Sequence, residues 1–308
     1  MRYVFESPEA VSGKNMFLWG KGIIKTKRME GEKEKEEIKR ESLTLALASI
    51  ERLGEGSPAS ILSSDRLFFR IFVESFVYRQ KLVQEIAESK TTEELLKALR
   101  QAGTVANKGG QELNLSLMSG LAEIIVESMK KNIKNEQVQQ FGAVCLGNLS
   151  VKDFGRWQVW RSGGAEAIVD AMKFHWNCSR VQEAGCFGIR NVVCRIAEAQ
   201  KSISELGGID VVFKAMVNHS DDPFVLEEAL CAIANLSSHS ANLEKIMIVG
   251  QNMKVIVNVM KKHEKSVRVQ VAACRAIWHI MSTKIQHDKL MSDEIIVAVT
   301  LATTSWPD

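Results

Sequence analysis

Strong net charge is the first thing that this sequence lacks. Its 308 residues carry 40 lysines and arginines against 37 aspartates and glutamates, which leaves a formal charge of only +3. Proteins that bind nucleic acids or anionic membranes use a large positive field, and this composition predicts none. We therefore expect no nucleic-acid partner.

Long hydrophobic runs are absent as well. No apolar stretch of signal-peptide length follows Met1, and the most apolar stretch, residues 67–78, contains Arg70 and Glu74. That stretch is also too short to span a bilayer. We expect no membrane insertion and a reducing compartment, the cytoplasm or the nucleus, in which the six cysteines stay reduced.

Catalytic and metal-binding motifs are missing too. The chain has no glycine-rich phosphate loop, no paired histidines at i,i+4 beside a glutamate, and no Gly-x-Ser-x-Gly sequence. His175 and Cys178 could offer two metal ligands, but no second pair at ligand spacing accompanies them. The sequence predicts no enzyme activity, no cofactor and no metal site.

What the sequence does contain is an internal repeat. One segment occurs four times, and the valines that open its copies are 43, 44 and 44 residues apart. These are Val138, Val181, Val225 and Val269. A methionine precedes each valine by nine residues: Met129, Met172, Met216 and Met260. A period of this length without strand-like alternation predicts stacked helices in a solenoid.

Each period is predicted to contain three helices. Small and apolar residues fall at helical spacing, and paired glycines at 163–164 and 207–208 suit a sharp turn between two helices. In the second copy we place the helices at about 153–162, 164–175 and 179–193. The four methionines should then lie on the core face of each second helix.

Two consecutive motifs carry a family resemblance. Gly-Gly-(Ile/Ala)-x-x-(Ile/Val)-Val, followed by Val-Gln-Glu-x-(Gly/Ala)-Cys-x-(Ala/Gly)-(Leu/Ile)-x-Asn-(Leu/Val), resembles the armadillo repeat from about residue 111 to 295. The resemblance implies an all-α, armadillo-like right-handed superhelix of about four three-helix repeats with an N-terminal helical extension. The fourth copy departs from the motif, with His279 in place of the asparagine and Gln251 in place of the second glycine.

The predicted domain organisation has three parts. Residues 1–56 form an irregular arm and a charged helix, and the Gly-Glu-Gly-Ser-Pro sequence at 54–58 breaks the chain at this boundary. Residues 57–110 form a helical cap or a degenerate repeat, in which Thr91 and Glu94 have the spacing of a capping box. Residues 111–308 form the armadillo-type repeats, the last one incomplete.

The resemblance also implies a groove that binds a partner. In the armadillo family an asparagine near the end of the third helix lines the concave groove and contacts the backbone of an extended peptide, for which its amide offers a donor and an acceptor. The residues that would take this role here are Asn148, Asn191 and Asn235, with His279 at the fourth position. Alternatively, each asparagine caps its helix or bonds a neighbouring repeat.

The residues four positions before Asn148, Asn191, Asn235 and His279 indicate which type of partner to expect. The nuclear-import adaptors of the family have tryptophan there, whereas this chain has Val144, Phe187, Cys231 and Arg275. A basic nuclear-localisation signal is therefore not the expected partner. Phe187 could act as an indole does, and the neighbouring Arg190 and Arg195 would suit an acidic peptide. The interpretation that we favour for each arginine is a solvated surface residue.

A second surface is indicated by Trp157 and Trp160 on a first helix. The next copy has Lys201 and Ser204 at these positions, so the repeat core does not need the indoles, which either pack within the chain or contact a partner. The predicted function is a non-catalytic interaction scaffold or adaptor with a partner segment in its groove. The alternative is a structural subunit of a large assembly, docked through the N-terminal arm and this tryptophan surface.

Overall fold

The structure is a computed structural model, and it describes residues 81–107, 120–248 and 251–282 together with Thr300. Two compact units divide the chain, Met1–Val77 and Tyr78–Asp308, and all described residues lie in the second. Both predicted domain boundaries, after residues 56 and 110, fall outside the described ranges. So do the predicted N-terminal arm, the charged helix and nearly all of the incomplete last repeat.

The regular elements in these ranges are all helices, which confirms the predicted all-α class. Residues 81–88 are helical. They are followed by α1 Thr92–Asn107, α2 Leu121–Lys131, α3 Glu136–Leu149, α4 Asp153–Arg161, α5 Gly164–Phe174, α6 Ser179–Val192, α7 Ala197–Glu205, α8 Gly208–Asn218, α9 Pro223–Leu236, α10 Ser240–Ile248, α11 Gln251–Lys262 and α12 Val267–Met281. None of these helices combines the length and apolarity needed to cross a membrane.

Three helices make one repeat, as predicted. The second repeat consists of α4, α5 and α6, and every end lies within one residue of the position expected from the sequence. The third repeat is α7 to α9, and the fourth is α10 to α12. Of the first repeat, the described residues include the second and third helices, α2 and α3.

The capping box before α1 is also confirmed, because Thr91 Oγ1 accepts from Glu94 N at 3.2 Å and Thr91 N donates to Glu94 Oε2 at 3.3 Å.

Glycines in the left-handed region start the second helices, as the paired glycines predicted. Gly163 has φ of 82° and Gly207 of 78°, a conformation that costs an L side chain about 1–2 kcal/mol. Met172 and Met216 each follow nine residues after one of these glycines, and all four methionines of the ladder are buried, with an exposure of 3% or less. The methionine ladder therefore lies in the core, as predicted.

A ladder of glutamines, which the sequence analysis did not identify, joins the second helix to the third within a repeat. Gln182 Nε2 donates to the carbonyl oxygens of Met172 at 2.8 Å and His175 at 2.9 Å. Gln139 and Gln270 make the equivalent pairs of bonds in the first and fourth repeats. Carbonyls at the end of a helix have no partner within it, so these side chains cap the second helices.

A histidine ladder, also not identified from the sequence, joins consecutive repeats. His175 Nε2 lies 2.6 Å from Ile133 O, and His263 Nε2 lies 2.8 Å from Ser220 O; His219 makes the same contact with Trp176 O at 3.0 Å. A carbonyl only accepts, so Nε2 carries the proton in each case. Cys178, the other residue considered as a metal ligand, donates through Sγ to Glu136 Oε2 at 3.5 Å.

Candidate functional site

The third helices form a continuous row. Helix α1 packs on α3, α3 on α6, α6 on α9, and α9 on α12, so α1 takes the place of a third helix before the first repeat. Nine side chains of this row, partly buried except for the exposed Arg275, are called the third-helix surface below. They are Val144, Asn148, Phe187, Arg190, Asn191, Glu228, Asn235, Arg275 and His279.

The asparagines of this surface bond the preceding repeat. Asn235 Nδ2 donates to Arg190 O at 2.8 Å, Asn191 Nδ2 to Gly147 O at 3.1 Å, and Asn148 Nδ2 to Gly103 O at 3.5 Å. Of the two roles considered from the sequence, bonding a neighbouring repeat is therefore present. Each bond uses one of the two N–H donors of the amide, and no described residue donates to the Oδ1 atoms.

His279 stands at the asparagine position in the fourth repeat. It is partly buried, and its ring contacts that of Trp278 edge to face with 4.9 Å between the centroids. Burial lowers the pKa of His279, and the positive charge of Arg275 lowers it further. A neutral imidazole offers one donor and one acceptor, so it can both donate and accept, as an asparagine amide can.

Phe187 lies in a close contact between the second and first repeats. A β-carbon placed on Gly147 would come within 2.4 Å of the Phe187 ring, so only glycine leaves room for it there. The guanidinium carbon of Arg190 stands 5.0 Å from the centroid of the same ring, a cation–π distance. The ring is thus held between the backbone of α3 and a side chain of its own helix.

Arg190 also reaches the next repeat, which corrects our interpretation of it as a solvated residue. Its Nη1 lies 2.8 Å from Glu228 Oε2, an ion pair whose N–H is not aligned as a hydrogen bond. Burial raises the pKa of Glu228, while Arg190 opposes that rise. Cys231 lies beside the pair: burial raises the pKa of its thiol, and Arg190 again acts in the opposite direction. Sequence reasoning missed Glu228 because only the fold brings it to Arg190.

The remaining predicted residues are spread along the surface. Val144 is partly buried and packs against the core, and Arg275 is exposed on α12. Arg195 does not join the Phe187 cluster through any contact described for it; it is exposed in the loop after α6, where its φ of 62° is left-handed. The structure therefore brings together Phe187 and Arg190, with Glu228 as a residue that the sequence did not indicate.

A second arginine–glutamate ion pair joins the N-terminal parts of α12 and α9. Arg268 Nη1 is 2.9 Å from Glu227 Oε2, and its guanidinium carbon is 5.0 Å from the centroid of Phe224. Burial raises the pKa of Glu183, and the charge of Asp222 raises it further. An arginine over a phenylalanine and beside a glutamate thus occurs twice along the row of third helices.

The predicted tryptophan surface lies on α4. Trp157 and Trp160 contact each other edge to face, with centroids 5.4 Å apart. Trp160 is partly buried against the core, whereas Trp157 is 36% exposed and its neighbour Phe154 40%. The guanidinium carbon of Arg161 is 5.7 Å from the Trp157 ring centroid. One indole therefore packs within the chain, and the other faces solvent with Phe154.

A metal-binding cluster does not occur among the described residues. No group of three or more histidine, cysteine, aspartate or glutamate side chains in those ranges converges on a position for a metal ion. All six cysteines are free thiols, and burial raises the pKa of Cys145 to about 12. At neutral pH such a thiol is protonated and a poor nucleophile.

Comparison with known proteins gives one family. The family model described as "LRRK2 ARM repeat" matches residues 113–303, which is more than half of the chain. Protein aardvark of Dictyostelium discoideum is 31% identical over 142 residues, and the match covers 42% of this chain. It covers only 19% of the aardvark protein, so this chain spans a small part of that relative's length.

Solved structures support the same fold. The designed armadillo repeat protein YIII(Dq)4CqI has a TM-score of 0.61 at 18% identity, covering 73% of this chain and 98% of its own. A designed armadillo repeat protein in complex with peptide (KR)4 has a TM-score of 0.59 at 18% identity, with coverage of 74% and 98%. A structure from a study of the interaction between cadherin and beta-catenin has a TM-score of 0.59 at 15% identity, with coverage of 83% and 51%. The fold of the described region is that of an armadillo-type solenoid.

Proposed function

This chain belongs to the LRRK2 ARM repeat family, and on that premise we propose that it is a non-catalytic scaffold or adaptor that binds a segment of a partner protein. The armadillo fold is commonly a protein-binding scaffold; one of the similar structures is a designed protein in complex with a peptide. The finer part of the proposal is the binding mode. An extended partner segment would lie along the third-helix surface.

One observation carries this proposal: the amides of Asn148, Asn191 and Asn235 are held in the same way in three consecutive repeats. Each Nδ2 is fixed on a carbonyl of the preceding repeat, which orients the amide and leaves Oδ1 as an acceptor. Acceptors that are already fixed lose little conformational entropy when a ligand binds. Backbone N–H groups of an extended segment are suitable donors for such a ladder.

Site-specific crosslinking tests the surface directly. The photo-reactive residue p-benzoylphenylalanine is placed in the full chain at Phe187, which lies on the third-helix surface, or at Phe174, which is 51% exposed at the end of α5. Both changes replace phenylalanine within the same repeat, so they are matched. We expect partner adducts from position 187 and none of the same adducts from position 174. Equal adducts at both positions, or adducts at 174 alone, would contradict the proposed surface.

The runner-up function, a structural subunit of a large assembly, is favoured by the exposed pair Phe154 and Trp157 on α4. Aromatic side chains are enriched at protein interfaces, and an exposed pair beside Arg161 fits such a contact. The N-terminal arm, its other proposed docking point, lies outside the described residues. Placing the same photo-reactive residue at Trp157 separates the two functions, because adducts at 157 without adducts at 187 would favour the assembly subunit.

The compartment that we propose is the cytoplasm or the nucleus. The six free thiols support it, since oxidising compartments favour disulfides. Fluorescence microscopy of the tagged full chain tests this proposal, and accumulation in a secretory compartment would refute it.

A further inference from the structure

The Arg190 side chain lies in a site suited to a cation. Its guanidinium carbon stands 5.0 Å from the Phe187 ring centroid, and its Nη1 stands 2.8 Å from Glu228 Oε2. The side chain of Arg190 is 26% exposed and that of Glu228 only 17%. The site is therefore at the boundary of the third-helix surface and partly shielded from water, where charge interactions are stronger than in bulk solvent.

The Phe187 ring and the Glu228 carboxylate could bind a cation from a partner as well as they bind Arg190. An aromatic face and a carboxylate are both favourable partners of a guanidinium. The Phe187 ring packs directly on the backbone of Gly147, where any side chain would collide with it. Both recognition groups are thus fixed, by α3 and α9, before any ligand arrives. A basic side chain of a bound segment would find the same two partners, but Arg190 already occupies them.

We propose that Arg190 is a built-in cation that determines the specificity of the third-helix surface by excluding basic partner side chains at the Phe187–Glu228 position. The inference rests on the proposed function, because it assumes that a segment binds along this surface. A basic residue placed there meets the like charge of Arg190 and finds no unpaired carboxylate. A guanidinium has five N–H donors, so the exposed edge of Arg190 can still receive an acceptor such as a partner carboxylate.

Removing Arg190 should invert this selectivity. In Arg190→Ala the Phe187 face is uncovered, and Glu228 loses its nearest opposite charge while it remains partly buried. An unpaired buried carboxylate is unfavourable, so the variant gains from any cation that reaches it. The wild-type chain has no such gain. A peptide of alternating lysine and arginine is the appropriate probe, because every one of its positions presents a cation.

The experiment measures binding of fluorescein-labelled (KR)4 peptide by fluorescence anisotropy at low salt. It compares the wild-type full chain with Arg190→Ala and with Arg180→Ala. Arg180 is exposed on the same helix, so its removal changes the net charge by the same amount without opening the site. We expect Arg190→Ala to bind the peptide about tenfold more tightly than wild type, and Arg180→Ala to remain within about twofold. In Arg190→Ala/Glu228→Gln the gain should disappear, and Arg190→Lys should behave as wild type does.

Folding of the variants is checked by their melting temperatures. Should Arg190→Ala fail to fold, Arg190→Gln keeps part of the side-chain volume and can bond Glu228, and we expect a gain of about threefold. Equal affinities for the Arg190 and Arg180 variants would overturn the inference, as would a gain that survives Glu228→Gln. The proposed function has a separate readout in crosslinking at position 187, so partner adducts there without any gain for (KR)4 would refute only the inference.

Discussion

Met216 and Val217 are adjacent in α8, but only the methionine is in the core: Met216 is 0% exposed and Val217 56%. Met216→Ala should lower the free energy of unfolding by about 2–5 kcal/mol, because it leaves a cavity in a packed interior. Val217→Ala truncates an apolar side chain on the surface of the same turn and should change the free energy of unfolding by less than about 0.5 kcal/mol. Urea denaturation of both variants checks this prediction. Similar losses for the two would show that the buried face of α8 is wrongly assigned.

The methionine ladder, to which Met216 belongs, shows what could be predicted from single residues. The buried methionines were predicted because their spacing follows the period and their chemistry suits a core. The histidines at 175, 219 and 263 follow the same period, but the sequence analysis did not identify them as a ladder. Their partners are backbone carbonyls of the preceding repeat, and a carbonyl leaves no signal in the residue types. Comparing polar as well as apolar residues across the copies would have found both this ladder and the glutamine ladder.

Arg190 could not be interpreted correctly from the sequence. Its partner Glu228 lies in the next repeat, and the equivalent positions of other repeats do not hold the same pair. Only the packing of α6 on α9 brings the two side chains within 2.8 Å. The identity of site residues therefore depends on contacts between repeats, whereas the core depends on a pattern within each repeat.

At the scale of the elements, the turn before each second helix is fixed by backbone conformation. Gly207 has φ of 78°, and a β-carbon there would meet no atom within 4 Å, so the penalty for a side chain is purely conformational. Gly207→Ala should destabilise by about 1–2 kcal/mol. Gly207→Asn should lose less, because asparagine tolerates the left-handed region better. Thermal unfolding checks this order, and an alanine variant as stable as wild type would contradict it.

Helix boundaries were predictable because the sequence marks them. In the second repeat the glycine pair at 163–164 separates two helices, and all three helices end within one residue of their predicted ends. The role of α1 was less evident, since the sequence allowed a cap or a degenerate repeat. Its packing on α3, including the bond from Asn148 to Gly103 O, makes it equivalent to a third helix.

At the scale of the whole solenoid, the asparagine ladder links one repeat to the next. Replacing Asn235, Asn191 or Asn148 by alanine removes one bond between repeats, and each such bond is worth about 0.5–1.5 kcal/mol net. The loss should be largest for Asn235, whose bond is 2.8 Å, and smallest for Asn148, whose bond is 3.5 Å. Melting temperatures of the three single variants test the order. Unchanged stability in all three would mean that the bonds do not couple the repeats.

This coupling changes the meaning of the asparagines for binding. The sequence suggested that each amide provides a donor and an acceptor to a partner, but one of its two N–H donors is used inside the solenoid. A loss of binding in an alanine variant would therefore combine a missing acceptor with a weakened stack of helices. Phe187 is the better position for testing the surface, because its ring makes no hydrogen bond between repeats and only packs against Gly147 of the preceding one.

The central claim is that the third-helix surface binds the partner segment, and the affinity of that segment for a Phe187 variant tests it most directly. A synthetic peptide of the segment crosslinked at position 187 is titrated by calorimetry into wild type, Phe187→Ala and Phe174→Ala, well below their melting temperatures. Aromatic residues in a binding surface commonly contribute more than about 1 kcal/mol, so Phe187→Ala should weaken binding about fivefold or more, and Phe174→Ala by less than about twofold. Equal Kd values for wild type and Phe187→Ala, or a loss confined to Phe174→Ala, would contradict the account.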